Sequence, residues 1–209
     1  MKRILARIIS LLPFSGIRVF FYRNLLGYRI HDSHIGYGTV VDVKSCEIFL
    51  GRIGRFCLFR GPMQLLVDQG TLIGNSNKFH CGKWTQNQAV WSYTPGLSIG
   101  RNSKITSGHL FDVSASIVVG DRSWIAGQGS QFWTHGPGLR DKNIRIGSDC
   151  YVGSAARFSP GARIGNRVLV ALGSVVVGEI ADDDCVVAGV PARIIKSNYD
   201  WRRKGELEE

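Results

Sequence analysis

The chain has 209 residues, of which 44% are hydrophobic, and a formal net charge of +10. This is enough apolar material for one buried core, so a single domain is expected. No apolar run reaches the about 18–20 residues needed to span a bilayer, and no helix-turn-helix, zinc-finger or RNA-recognition signature accompanies the charge, which argues against a membrane-spanning or a nucleic-acid-binding protein.

The positive charge suits anions: a phosphorylated cosubstrate, a membrane surface or an acidic glycan. A solvated basic surface is the plain alternative. The five cysteines are odd in number and lack close pairs. They read as small core residues, which favours a reducing, cytoplasmic compartment.

Residues 1–34 form a basic segment. Lys2, Arg3, Arg7, Arg18, Arg23 and Arg29 alternate with Ile, Leu and Phe, and no acid precedes Asp32. Pro13 and Arg18 interrupt the apolar stretch, and no small-residue cleavage site follows, so a signal peptide is a poor fit. Two amphipathic helices are expected near 2–12 and 15–25. They either cap one end of the domain or rest on an anionic membrane face.

Residues 35–196 carry a repeat. Ile146, Val152, Phe158, Ile164, Val170 and Val176 recur every sixth residue, with small side chains such as Cys150, Ala156, Ala162, Val168 and Ser174 between them. A six-residue period fits neither an amphipathic helix nor an alternating hairpin. It fits a solenoid whose coil has flat faces, one hexapeptide per face.

The pair Ile-Gly or Val-Gly returns at Ile99, Val119, Ile146 and Ile164, the last two separated by three hexapeptides. The coil is therefore expected to be triangular, with three short parallel strands per turn stacked about 4.8 Å apart. Asn102, Asp121, Asp149 and Asn166 are expected at corners, bonding their own backbone. The period breaks near 80–93 and 135–143, where loops should leave the prism and carry function. Ile180 to Lys196 closes the repeat, and the charged tail, 197–209, is expected to be helical and to cover the last open strand edge.

Of the five histidines, His135 stands out. It lies in Trp133-Thr134-His135-Gly136, where a strand reaches the break at 135–143. There it can act as a general base toward an acceptor hydroxyl, or be a loop histidine without a role. His109 and Asp112, one coil earlier, are candidates for acceptor contact, and Asp112 for orienting His135. Trp84, Trp91 and Tyr93 either stack on a sugar ring or cover the prism edge.

Four segments carry a resemblance. They are Ile146-Gly147-Ser148-Asp149-Cys150-Tyr151-Val152-Gly153, Pro160-Gly161-Ala162-Arg163-Ile164-Gly165, Gly173-Ser174-Val175-Val176 and Ala188-Gly189-Val190-Pro191-Ala192-Arg193. Together they resemble the C-terminal half of the hexapeptide-repeat acyltransferases, in particular the galactoside, maltose and nodulation acetyltransferases and the O-antigen or colanic-acid acetyltransferases. The likeness is close over about residues 97–196 and loose over 35–96.

It implies an all-β fold, a left-handed parallel β-helix with short N-terminal and C-terminal helices. It also implies a homotrimer with active sites between subunits. The handedness comes from the resemblance alone, since parallel crossovers are otherwise right-handed.

The same resemblance implies acetyl-coenzyme A as acyl donor, a sugar or glycan hydroxyl as acceptor, and no metal. His135 matches the family's catalytic base. Ser154 matches a contact to the pantetheine arm, and Ala171, Leu172 and Gly173 match backbone contacts to the donor. Arg193 and Lys196 match the basic residues facing its phosphates. Leu172 departs from the usual alanine, and Gly178-Glu179 from a frequent Thr-Lys. An amino-sugar acceptor, a zinc site of three histidines and a non-catalytic binding solenoid are the alternatives.

Overall fold

The computed structural model describes residues 1–86, 93–137 and 141–203. Apart from the last strand, its strands pair in parallel in two sheets that wrap a single interior, giving a three-sided prism.

The strands His34–Ile35, Arg52–Ile53, Leu72–Ile73, Lys104–Ile105, Trp124–Ile125, Tyr151–Val152, Leu169–Val170 and Val186–Gly189 stack as face A. Face B includes Lys78–His80, Leu110–Asp112, Gln131–Trp133, Arg157–Phe158 and Val175–Val176. Face C includes Gly96–Ile99, Ser116–Val119, Ile144–Ile146, Arg163–Ile164 and Glu179–Ile180. Two longer strands, Val40–Phe49 and Leu58–Val67, turn from face B into face C and join those faces into one sheet.

The six-residue period is the interior. Ile146, Val152, Phe158, Ile164, Val170 and Val176 are all buried. On face B the same slot holds Phe59, Phe79, Phe111, Phe132 and Phe158, with successive ring centroids 4.4, 4.7, 4.3 and 4.9 Å apart. Parallel in-register pairing stacks equivalent positions of successive coils, so one favourable ring position is repeated over these five coils.

The recurring Ile-Gly has a steric cause. A Cβ on Gly147 would lie 2.2 Å from the carbonyl oxygen of Gly165 in the next coil. Only glycine lets the two backbones approach this closely.

The corners differ from the expectation of local bonding. Asp121 Oδ1 accepts from the Arg101 N–H at 2.9 Å, and Asn166 Oδ1 from the Ser148 N–H at 2.9 Å. These bonds run to the neighbouring coil. Asn102 and Asp149 instead take the left-handed backbone, with φ of 55° and 58°. A second ladder lies inside. Ser103, Ser123 and Cys150 donate to the carbonyls of Gly120, Gly147 and Gly165 in the following coils. Stacking brings a polar corner residue nearer to the next coil than to its own turn, so the carbonyls left by each bend are satisfied between coils.

Helices α1 (Lys2–Ser10) and α2 (Ser15–Leu26) cover the first coil. Side chains take the place of a missing strand. The Arg18 guanidinium donates to the carbonyl of Ile35 from Nε and Nη2, and to that of Leu12 from Nη1. The Tyr22 hydroxyl accepts from the Val41 N–H at 3.2 Å, and the Tyr28 hydroxyl from the Val43 N–H at 3.1 Å. These side chains pair part of a polar sheet edge that would otherwise be open to another chain.

At the other end, Ala192–Lys196 folds back antiparallel onto Val186–Gly189. This strand, not a helix, covers the last edge of face A. The tail also departs from expectation in its described part, 197–203, which contains a turn and no helix. Trp201 Nε1 donates to the Asp149 carbonyl at 2.7 Å, and Arg202 pairs with Asp149 and Asp200. The remainder of the tail, 204–209, lies outside the described residues.

Candidate active site

His135 follows the strand Gln131–Trp133, at the corner where face B gives way to face C. In-register pairing places Asp112, on the preceding coil, beside Trp133. The next two residues bring the imidazole over that carboxylate, with His135 Nδ1 2.5 Å from Asp112 Oδ2.

Asp112 is buried and held on every side. Its Oδ1 accepts from Ser114 Oγ at 2.7 Å, and its Oδ2 from the Thr134 N–H at 3.2 Å. Thr134 Oγ1 donates to the Asp112 carbonyl and accepts from the Ala115 N–H. These bonds fix the carboxylate, and a carboxylate on Nδ1 favours the tautomer with its proton there. Nε2 then carries the lone pair. The His135 side chain is 47% exposed, so that lone pair is open to an incoming hydroxyl.

Aromatic rings wall the imidazole. Trp84 and Trp133 lie edge-on, with centroids 6.1 and 5.8 Å from that of His135. Tyr93 packs on Trp84 at 5.0 Å. The loop aromatics therefore flank the candidate base. Trp91, Gly138, Leu139 and Arg140 lie outside the described residues.

His109 is not at this site. It occupies an interior corner slot and is 1% exposed. Nδ1 accepts from the Ser130 N–H at 3.1 Å, and Nε2 is 3.0 Å from Thr106 Oγ1. Burial pushes its pKa down to about 4, so it stays neutral. Both ring nitrogens are thus occupied within the prism wall, and in the single chain the ring is not presented to an acceptor.

The residues matched to the donor form a separate edge, between faces A and B. Gly173 N–H donates to the Ser154 carbonyl at 2.9 Å. A Cβ on Gly127 would fall 1.7 Å from Ser154 Oγ, so that glycine makes room for the serine. Ala171 is half-buried, and Leu172 projects into solvent at 78% exposure. Arg193 lies opposite Ala188 across the final hairpin and Lys196 opposite Val186. Both are exposed. Lys196 Nζ sits 4.4 Å from the Tyr199 ring centroid.

Within one chain the two groups do not meet. Face B strands begin at the Ser154 and Leu172 edge and end at His135. Thr134 and Ser114, which hold Asp112, were missed by sequence reading. Their only signal is their place beside Asp112 and His135.

All five cysteines are buried and unpaired. Burial raises the thiol of Cys57 to about 11 and that of Cys150 to about 12. None is placed as a nucleophile. Among the described residues no three histidine, cysteine or acidic side chains converge on a metal-sized site.

No family model matches the chain. The galactoside O-acetyltransferase of Escherichia coli K12 is 29% identical over 126 residues, covering 56% of this chain and 62% of that protein. The chain thus aligns with under two thirds of that relative's length. The polysialic acid O-acetyltransferase OatWY superposes with a TM-score of 0.61 at 19% identity, covering 87% of this chain and 90% of the other. A hexapeptide-repeat acetyltransferase of Vibrio cholerae gives a TM-score of 0.50 at 25% identity, covering 95% and 92%. The fold is therefore the left-handed β-helix. In sequence and in fold, the chain resembles the hexapeptide-repeat acetyltransferases.

Proposed function

We propose that the chain is an acetyl-coenzyme A-dependent O-acetyltransferase acting on a hydroxyl of a sugar or glycan precursor of capsule, O-antigen or exopolysaccharide type. The observation that carries this reading is the solvent-open imidazole of His135 on the buried carboxylate of Asp112. A non-catalytic solenoid has no need of an exposed base oriented in this way.

In this reading His135 Nε2 takes the acceptor hydroxyl proton as that oxygen attacks the thioester carbonyl. A backbone N–H near Ser154 receives the oxyanion. The C–S bond breaks, and the imidazolium returns its proton to the coenzyme A thiolate. The acetyl group passes directly between substrates, in keeping with the buried thiols. Asp112 acts as a positioning residue, stabilising the imidazolium.

The donor edge and His135 stand at opposite ends of face B, so one prism supplies half a site. We assign the other half to a neighbouring protomer of a homotrimer. Leu172, exposed on the single chain, then lines the groove between prisms. Arg193 and Lys196 face the nucleotide phosphates, the lysine as a point charge. Titration of acetyl-coenzyme A without acceptor tests this. Saturable binding is expected in the wild type, weakened about tenfold or more by Arg193→Glu. A folded trimer that binds no acetyl-coenzyme A would reduce the protein to a binding solenoid.

The third partner in this reading is an anionic membrane surface. Ile4 and Ile8 lie on the exposed face of α1, Leu11 and Phe14 follow between the helices, and Ile17 and Phe20 continue the exposed apolar surface on α2. Arg3, Arg7 and Arg23 stand beside them, exposed. Apolar residues flanked by cations suit the headgroup boundary. Wild-type protein is expected to sediment with phosphatidylglycerol vesicles, and Ile8→Asp with Phe20→Asp to remain in the supernatant. Wild-type protein that stays in the supernatant at low salt would remove the membrane from this account.

A further inference from the structure

A groove of about 540 Å³ runs from the start of α1, along Val40–Phe49 and Leu58–Val67, to the short 3-10 helix Lys83–Gln86. Lys2, Arg3, Lys44, Arg60 and Lys83 line it, with Asp42 the one carboxylate among its described lining residues.

These cations differ from several arginines elsewhere on the surface. Arg101, Arg122, Arg167 and Arg202 each pair with aspartates. Among the described residues none of the five in the groove forms an ion pair. Five positive charges gathered around a single carboxylate repel one another, and an added anion relieves that repulsion.

The groove adjoins the candidate site. Arg60 pairs in register with His80, and His80 with Asp112, the residue that holds His135. Two strand spacings, about 10 Å, therefore separate the Arg60 and Asp112 backbones. Lys83 is followed by Trp84, whose ring faces His135. A group one sugar residue away from a hydroxyl at His135 falls within reach of Arg60 and Lys83. The Arg60 guanidinium offers a planar fork for two phosphate oxygens, and the lysines add point charge.

We propose that this groove binds phosphate, and that the acceptor is accordingly a glycosyl phosphate or diphosphate. Anion binding stands on the groove alone, whereas the identity of the anion as acceptor rests on the acetyl-transfer reading. The phosphate can belong to a soluble sugar phosphate or to a lipid-linked one.

The test titrates full-length protein with inorganic pyrophosphate, coenzyme A being present at saturation to occupy the donor edge. Saturable binding is expected, weakened about tenfold or more by Arg60→Gln with Lys83→Gln and unchanged by Lys104→Gln, which removes charge from face A. No saturable binding, or equal binding by the double variant, would overturn the proposal. Phosphatidylcholine vesicles with and without polyprenyl diphosphate then separate the sources. Sedimentation only with the diphosphate, lost in the double variant, assigns a lipid-linked ligand. Pyrophosphate binding without such sedimentation assigns a soluble one. Pyrophosphate binding by a protein that transfers no acetyl group would keep the groove and discard the acetyl-transfer reading.

Discussion

His135→Ala is expected to lower kcat for acetyl transfer by about 10²–10⁴-fold, the usual contribution of a positioned general base. Binding of acetyl-coenzyme A should be nearly unchanged, because the base acts on the acceptor. The expectation follows from the geometry. Asp112 occupies Nδ1, so Nε2 is the nitrogen left for the hydroxyl, and removing the ring removes the proton acceptor. Asp112→Asn should also lower kcat while leaving KM for the donor in place. It would offer the imidazole an amide, which favours no single tautomer and does not stabilise the imidazolium. Its pH-rate profile should lose or shift the limb that reports the base, an effect that a merely structural role for Asp112 would not produce. Steady-state kinetics on both variants decides the matter. An alanine variant retaining activity within tenfold of wild type would remove His135 from the chemistry.

Phe132→Ala is expected to destabilise the protein by about 3–5 kcal/mol, the range for deleting a fully buried aromatic side chain. Phe132 is completely buried near the middle of the ring column, with Phe111 on one side and Phe158 on the other. Truncation leaves a void and breaks two stacking contacts together. Each coil touches only its neighbours, so damage in a central coil interrupts the cooperativity between the two ends. Phe132→Leu should cost less, since most of the volume is restored. Urea unfolding of the variants measures this, with the midpoint as readout. A loss below about 1 kcal/mol for the alanine variant would mean that the column can collapse around the gap.

Some elements could be read from the chain because their cause is local or periodic. The aliphatic residue of each hexad faces inward, as in Ile146 and Val152, because parallel stacking gives every coil the same interior slot. Gly147 recurs because the next coil passes too close for a side chain. The break after His135 marks an interruption, and the histidine beside it is exposed. The basic start of the chain reads as two helices, and two helices form at Lys2–Ser10 and Ser15–Leu26.

What required tertiary structure is set by the next coil. The spacing between stacked residues varies: Asp112 meets His135 across 23 positions, while Ser148 meets Asn166 across 18. Loops of different length between coils make that register unreadable from a six-residue period, so the contact between Asp112 and His135 stayed one option among several. The burial of His109 was hidden for a different reason: the equivalent slot in the following coils holds smaller side chains, Ser130, Ala156 and Ser174. The sealing of the sheet edge by Arg18, Tyr22 and Tyr28, and the antiparallel closing strand, depend on which carbonyls and amides the outermost coils leave unpaired. The sequence by itself thus determined the repeat, its interior and the histidine at its interruption, since each follows from neighbours along the chain. The stacked coils decided which carboxylate holds that histidine, which cations gather beside it and how the two ends are closed, since those contacts exist only between segments far apart in sequence.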